Sequence, residues 1–243
     1  MALILVTGSA SGLGRLTAQA LIEQGHQVVV HARSRARLAE SALPGAYVTV
    51  VGDLAQEDQV RAVAEQVNGH GRFDAVVHNA GVMGPSGVYA VNVVAPYLLT
   101  ALMAPPRRAI VLSSSMHRTG GTELGVLSSR GAGELSRAYD TSKLMVTAFA
   151  MAMAERLSET LWHAVDPGWV PTRMGGPGAS DDLEAGHRTQ EWLATADDDQ
   201  IDPRSGGYWH HRRTQRPHPA ALDEQYQAGL LAQLAELTGT ELP

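Results

Sequence analysis

The sequence of 243 residues has no cysteine and only one lysine. Without cysteine there is no disulfide, no thiolate metal site and no cysteine nucleophile, which suits a reducing cytoplasm, the compartment expected for the chain. Eighteen arginines meet every other need for positive charge. The one lysine, Lys143, therefore marks a place that requires an ammonium, a compact donor whose proton can be shared, unlike the broad guanidinium fork. The apolar run from Ala2 to Val6 is too short for a secretory signal and has no basic residue before it. No stretch approaches the length of a membrane span. A net charge of −6 argues against nucleic acid as a partner, although arginines gather at Arg33, Arg35 and Arg37 and again at Arg212, Arg213 and Arg216. A nucleophile elbow, Gly-x-Ser-x-Gly, is also missing, since Gly8 to Gly12 carries Ala10 where the serine belongs, and this counts against a hydrolase. Neither an internal repeat nor a second domain is visible, and one α/β domain over residues 1–243 is long enough to bury its own core.

What is present is an alternation of short apolar runs and helical stretches. Leu3-Ile4-Leu5-Val6 reads as a buried parallel strand and leads at once into Thr7-Gly8-Ser9-Ala10-Ser11-Gly12-Leu13-Gly14. Glycines between a strand and a helix, here expected from Arg15 to Gln24, let backbone amides and the helix N-terminus face a phosphate. Their spacing departs from Gly-x-Gly-x-x-Gly, with three residues between the first two glycines and one between the last pair. Further strands are expected around Val28 to Val30, from Tyr47 to Val51, Phe73 to His78, Arg107 to Leu112 and Trp162 to Asp166, with a short last one at Gly206 to Trp209. Helices are expected from Gln56 to Val67, Gly87 to Met103, Tyr139 to Leu157, Leu183 to Ala196 and Ala220 to Thr238. This order predicts a single-domain, doubly wound parallel sheet of the Rossmann type flanked by helices, with ligands at the carboxyl ends of the strands.

The strand ends carry the candidate binding residues. Where the second strand stops, Ala32 and Arg33 stand in place of the carboxylate that grips a free adenine ribose. That points to NADP(H), with NAD(H) as the alternative, Arg33 as the contact to the 2′-phosphate and Arg15 as a second. Asp53, followed by Leu54, is open to two readings, adenine contact or helix N-cap. His78 reads as a packed strand end, and Asn79-Ala80-Gly81 beyond it are small enough to let the backbone approach a bound ring. Asn92, in apolar surroundings, either satisfies a backbone group or holds a water. The fifth strand ends in three hydroxyls, Ser113-Ser114-Ser115. Asp197-Asp198-Asp199 with Asp202 reads as a solvated loop, His210, His211 and His218 lack metal-ligand spacing, and no metal is expected.

The helix beginning at Tyr139 places that phenol one turn from Lys143 on the same face. A chance surface pair is the bland reading, and the company the pair keeps decides against it. Thr7 to Gly14 fits Thr-Gly-x-x-x-Gly-x-Gly, Asn79-Ala80-Gly81 fits Asn-Ala-Gly, Tyr139 with Lys143 fits Tyr-x-x-x-Lys, and Asp166 to Thr172 looks like a Pro-Gly-x-Val-x-Thr loop. In these pieces, in this order, the chain resembles the short-chain dehydrogenases/reductases. The resemblance implies a catalytic tetrad of Asn92, Ser114, Tyr139 and Lys143. It also implies a nicotinamide cofactor held by Gly8, Ser11, Gly12, Leu13, Gly14, Arg15, Arg33, Asp53, Leu54, Asn79, Ala80, Gly81, Tyr139, Lys143, Pro167, Gly168, Val170 and Thr172. Ser114 lies twenty-five residues before Tyr139, a long spacing that, with His117 beyond the serines, is similar to the retinol-dehydrogenase-like branch. Ser114 is preferred to Ser113, which is expected to point back into the sheet, and to Ser115.

Reduction of a ketone or aldehyde needs hydride at carbon and a proton at oxygen. Tyr139 is the expected acid, and base in the reverse direction, with its phenol shifted toward phenolate by Lys143 together with oxidised nicotinamide. Ser114 is expected to hold the carbonyl oxygen, Lys143 the nicotinamide ribose, and Asn92 a water linking Lys143 to solvent. The walls expected around the substrate are Met83, Ser115, His117, Trp169 and Met174, with a mobile flap at about 174–196 and a C-terminal segment at 203–243. They suit a small hydrophobic carbonyl or alcohol. The family often pairs through its two long central helices, so a homodimer or homotetramer is expected. A non-catalytic NADP-binding regulator on the same fold is the rival reading, with little reason to keep Tyr139, Lys143 and Ser114 together. Sugar-nucleotide epimerases share the pair but carry a larger C-terminal domain than the residues after Thr172 allow.

Overall fold

The computed structural model describes residues 1–40, 42–84, 87–127 and 137–243. The chain alternates strands β1 (Leu3–Val6), β2 (Gln27–Ala32), β3 (Val48–Val51), β4 (Ala75–His78), β5 (Arg108–Leu112), β6 (Leu161–Asp166), β7 (Gly207–His210) and β8 (Arg213–Gln215) with helices. The helices are α1 (Gly12–Glu23), α2 (Arg35–Glu40), α3 (Glu57–Asn68), α4 (Ala95–Leu102), α5 (Ala138–Arg156), α6 (Leu183–Thr195) and α7 (Glu224–Thr238).

The strands form one sheet in the order β3-β2-β1-β4-β5-β6-β7-β8, parallel throughout except for β8 against β7. The chain winds outward from β1 to β3, then crosses back to β4 and winds the other way. The strand order therefore reverses between β1 and β4, and a crevice opens at their carboxyl ends. Successive side chains of each strand enter opposite cores: Ile4 and Val6 join α1 and α6 on one face, while Leu5 joins α3, α4, α5 and α7 on the other. Burial on both faces is why these strands read as continuous apolar runs rather than alternating ones.

Three local results differ from expectation. The helix expected from Gly87 to Met103 opens into a π-helical turn over Ala90–Val94 before α4. Pro96 has no N–H to offer the Asn92 carbonyl four residues back, and Ala95 N–H reaches five residues back to Ala90. The unexpected α2 is a six-residue polar helix that starts after Ser34, whose Oγ accepts from Arg37 N–H at 3.3 Å. The unexpected β8 is fully exposed and joins β7 through His211 and Arg212, both at positive φ (49° and 59°), a tight hairpin turn made without glycine.

Asp198 is not the solvated loop residue expected from its run of aspartates. Its carboxylate meets Arg107 at 2.9 Å, the buried Arg108 at 2.5 Å and Arg204 at 3.2 Å, and these three guanidinium groups hold it well below the usual carboxylate range. This cluster ties the start of β5 to the turns after α6.

The two helices expected to pair copies are covered within the chain. Nearly all of α5 is buried, with α7 and a short turn at Pro219–Leu222 packed upon it. The chain end is clamped as well: Tyr97 Oη donates to the Thr240 carbonyl at 2.6 Å, and Arg61 donates to the Thr238 carbonyl and to Thr240 Oγ1, both at 2.9 Å. Among the described residues no helix is long and apolar enough to cross a membrane.

Candidate active site

The Gly-rich turn is shaped by what it packs against. Gly8 has φ +66°, and a Cβ there would lie 2.9 Å from Ala80 Cα. At Gly14, in the first turn of α1, a Cβ would lie 2.2 Å from Asn79 Nδ2. Both glycines are thus required by the Asn79-Ala80 segment at the end of β4, which explains their unusual spacing. Asn79 Nδ2 donates to the Thr7 carbonyl at 2.8 Å, and Ala80 N–H donates to Thr7 Oγ1 at 3.0 Å.

A cleft of about 880 Å³ opens above this turn. Of the expected cofactor residues it is lined by Gly8, Ser11, Gly12, Leu13, Gly14, Arg33, Asp53, Leu54, Asn79, Ala80, Gly81, Tyr139, Lys143, Pro167 and Thr172. Three others are not at its surface. Both terminal nitrogens of Arg15 lie 3.5 Å from the Ala42 carbonyl oxygen. Val170 is buried, close to Gly186 of α6. Gly168, at φ +83°, shapes the loop after β6, where a Cβ would strike the Asp181 carboxylate at 2.4 Å.

Asp53 is read neither wholly as a cap nor wholly as a ligand. Its Oδ1 accepts from Ala55 N–H at 3.0 Å, forming the turn into α3, whose N-cap is Gln56, and the residue also lines the cleft. Among the lining residues not expected from the sequence are three with basic side chains. Arg37 lies on α2, Arg173 follows Thr172, and His31 sits beneath the Gly-rich turn. His31 Nδ1 accepts from Gly8 N–H at 3.0 Å and Nε2 donates to the Gly52 carbonyl at 2.8 Å, so the ring is neutral and joins the ends of β1 and β3. Burial lowers its pKa, consistent with that state.

Tyr139 and Lys143 sit on the cleft-facing side of α5, with the Lys143 nitrogen 5.5 Å from the centre of the Tyr139 ring. Lys143 is buried and donates to the Leu112 carbonyl at the end of β5, at 2.6 Å. The depression expected for the Tyr139 phenol is not supplied by the protein's own groups. Burial pushes it up to about 12, the nearby Ser114 hydroxyl pulls it back, and the charges of Asp166 and Asp140 raise it further. Burial also pushes the Lys143 ammonium down to about 8, against a raising influence from Asp166. Desolvation is the largest influence on both groups.

The three serines point different ways. Ser113, though it borders the cleft, shares a 2.6 Å hydrogen bond with Thr147 of α5. The Ser114 hydroxyl accepts from Met116 N–H at 3.3 Å and lies near enough to Tyr139 to affect its phenol, although Ser114 itself is not among the residues lining the cleft. Ser115 begins the 3₁₀ turn Ser115–Thr119. Asn92 uses its whole amide on neighbours: Oδ1 accepts from Val82 N–H at 2.9 Å, and Nδ2 donates to the Val82 carbonyl at 3.0 Å and to Ser142 Oγ at 2.9 Å. The side chain thus fixes the loop after β4 to α5.

Met83 and Met174 line the open end of the cleft, and the Trp169 ring beside it is 56% exposed. The stretch expected as a flap is organised around Asp181, whose Oδ2 accepts from Trp169 N–H at 2.6 Å, while Trp169 Nε1 donates to the Gly175 carbonyl at 2.9 Å. His117 is fully buried and is not a wall. Among the described residues no group of three or more His, Asp or Glu side chains is arranged for a metal.

Comparison with known proteins agrees with this arrangement. The sequence model of the short chain dehydrogenase family matches residues 2–182. A short-chain dehydrogenase of Penicillium rubens is 38% identical over 259 residues, covering 100% of both chains. Retinol dehydrogenase 14 of Homo sapiens is 31% identical, over 71% of this chain and 62% of that protein. The crystal structure of an uncharacterised protein from Mycobacterium paratuberculosis superposes with a TM-score of 0.83 at 25% identity, covering 100% of this chain and 95% of the other. With Gly-rich turn, Tyr139, Lys143 and the loop after β6 placed around one cleft, the chain belongs to the short-chain dehydrogenase/reductase family.

Proposed function

We propose that the protein is an NADPH-dependent reductase of hydrophobic ketones or aldehydes, with Tyr139 as the proton donor, and that it runs in reverse on the corresponding alcohols. As a family member it is an oxidoreductase acting on CH–OH groups with NAD(P). The observation that carries the finer reading is that Tyr139 and Lys143 line one cleft with the Gly-rich turn, with the Ser114 hydroxyl close enough to the phenol to pull its pKa down.

The residues present suit a dinucleotide phosphate. Ser11 caps α1 without spending its hydroxyl, and Ser11, Gly12 and Leu13 line the cleft at the positive end of that helix. Arg33 and Arg37 border the place where a 2′-phosphate belongs. Gly81, where a Cβ would lie 3.5 Å from the Lys143 nitrogen, leaves room beside that ammonium for a ribose. NADPH supplies the hydride when bound.

Burial pushes the Tyr139 phenol up to about 12, so it is protonated near neutral pH, the state an acid needs. Ser114 holds the substrate oxygen as negative charge develops, and Lys143, on the same face of α5, supplies positive charge as the phenol gives up its proton. Met83, Met174 and Trp169 offer apolar surface to the rest of the substrate. A panel of apolar ketones and aldehydes followed at the NADPH absorbance tests the reading: NADPH consumption is expected. Tight NADPH binding with no turnover on any reactive carbonyl would instead favour the non-catalytic regulator.

A further inference from the structure

His117 is completely buried, outside the cleft, yet it controls the backbone of the serine that lies near Tyr139. Its backbone N–H donates to the Ser114 carbonyl at 3.0 Å, and its ring Nδ1 lies 2.7 Å from the same oxygen. One residue therefore occupies both lone pairs of that carbonyl. On the other side of the ring, Nε2 lies 3.0 Å from the backbone nitrogen of His218. A carbonyl only accepts and a backbone N–H only donates, so the proton must be on Nδ1 and the ring must be neutral. Burial, which lowers the pKa of this histidine, acts in the same direction.

The surroundings fix the ring further. Tyr208 of β7 packs against it with ring centres 4.7 Å apart, and Arg118 lies 5.8 Å above the Tyr208 ring while donating to Gln215 of β8 at 3.2 Å. His218 in turn accepts from Ala220 N–H through its Nδ1 at 3.1 Å, at the turn that packs on α5. Tyr208, Gln215 and His218 all lie beyond the residues 2–182 that match the family. His117 is thus a place where this chain's own C-terminal segment reaches the end of β5.

We propose that His117 is a positioning residue for Ser114, holding the Ser114 carbonyl through Nδ1–H while anchored by the His218 backbone, so that the C-terminal segment sets the direction of the Ser114 hydroxyl. The proposal rests on Ser114 holding the substrate oxygen. Asparagine places its amide nitrogen where Nδ1 stood, whereas glutamine places its amide near Nε2, and the two substitutions separate the two bonds.

Turnover, KM, NADPH affinity and melting temperature would be measured for His117→Asn, His117→Gln and Ser114→Ala with NADPH and a reactive apolar ketone. The Asn variant should keep kcat within about twofold of the parent, while the Gln variant should lose about tenfold in kcat with little change in KM. Both should melt somewhat lower and bind NADPH as the parent does. Equal turnover in the two variants, or turnover that simply follows melting temperature, would overturn the proposal. Ser114→Ala separates the premises: if it remains fully active the role of Ser114 fails, whereas if it is slow and the Asn and Gln variants are alike, only the role of His117 fails. The unsubstituted chain gives a second test that no folding defect can obscure. Nitrogen NMR of ¹⁵N-labelled histidine should show His117 neutral with its proton on Nδ1 at neutral pH, and a proton on Nε2 would overturn the assignment.

Discussion

Arg33 stands at the rim of the cleft just past β2, with Ala32 buried beside it where a carboxylate would grip a free ribose. Replacing Arg33 by Ala should weaken NADPH about tenfold to a hundredfold and leave NADH nearly unchanged, the effect of removing a charge-assisted contact to the 2′-phosphate. Adding Ala32→Asp should turn the preference toward NADH. Cofactor titrations decide this, and equal losses for both cofactors would place the phosphate elsewhere. Arg37 bears on the size of the effect, because it lines the same region and retains part of the charge. At this scale the sequence was informative where a residue's role depends on its neighbours along the chain, as with Tyr139, Lys143 and the glycines. It was silent where the role depends on direction in space. Arg15 follows the Gly-rich turn in sequence yet is not among the residues lining the cleft, while His31 hides in a valine run and bolts two loops together. The raised phenol of Tyr139 was equally hidden, since desolvation is set by the packing of distant segments.

Among the elements, β5 depends on the Asp198 cluster at its start. Arg108 is buried, so Asp198→Asn would leave a guanidinium with too little compensation, and a loss of roughly 2–3 kcal/mol is expected, at the low end for a broken buried pair because Asp198 is partly exposed. The sign of its pH dependence follows from the lowered pKa. A carboxylate depressed in the folded state contributes stability above its unfolded value and loses it as the pH falls through the folded value. The parent should therefore exceed the variant at neutral pH, and the gap should shrink below about pH 4. Denaturant melts of both proteins at several pH values measure it, and a gap independent of pH would contradict the cluster's role. The sequence placed the long apolar strands and amphipathic helices to within a few residues, because burial on one or both faces fixes their pattern. It missed α2 and β8, which are short, polar and held by neighbours, and it missed the π-helical turn, which Pro96 signals only once the helix is known to pass through that proline.

For the whole molecule, α7 decides which surfaces are free. Leu230 and Leu234 are fully buried in the core that includes α5, and Leu234→Ala should cost about 2–5 kcal/mol in a denaturant melt. A loss well under 1 kcal/mol would mean that α7 is only loosely seated. With α5 covered in this way, any pairing of copies in solution is expected to use a surface other than α5. A dimer that shields α5 would contradict that reading. The doubly wound sheet and its crevice were legible from the order of strands and helices. That the last helix would fold back over α5 was not, because Ala220 to Thr238 shows an apolar face without saying what it covers.

The central claim is that Tyr139 gives the proton. Tyr139→Phe removes only its hydroxyl, so the variant should bind NADPH as the parent does and lose about a hundredfold to ten-thousandfold in single-turnover rate on a reactive ketone. A rate equal to the parent's, with binding intact, would contradict the claim.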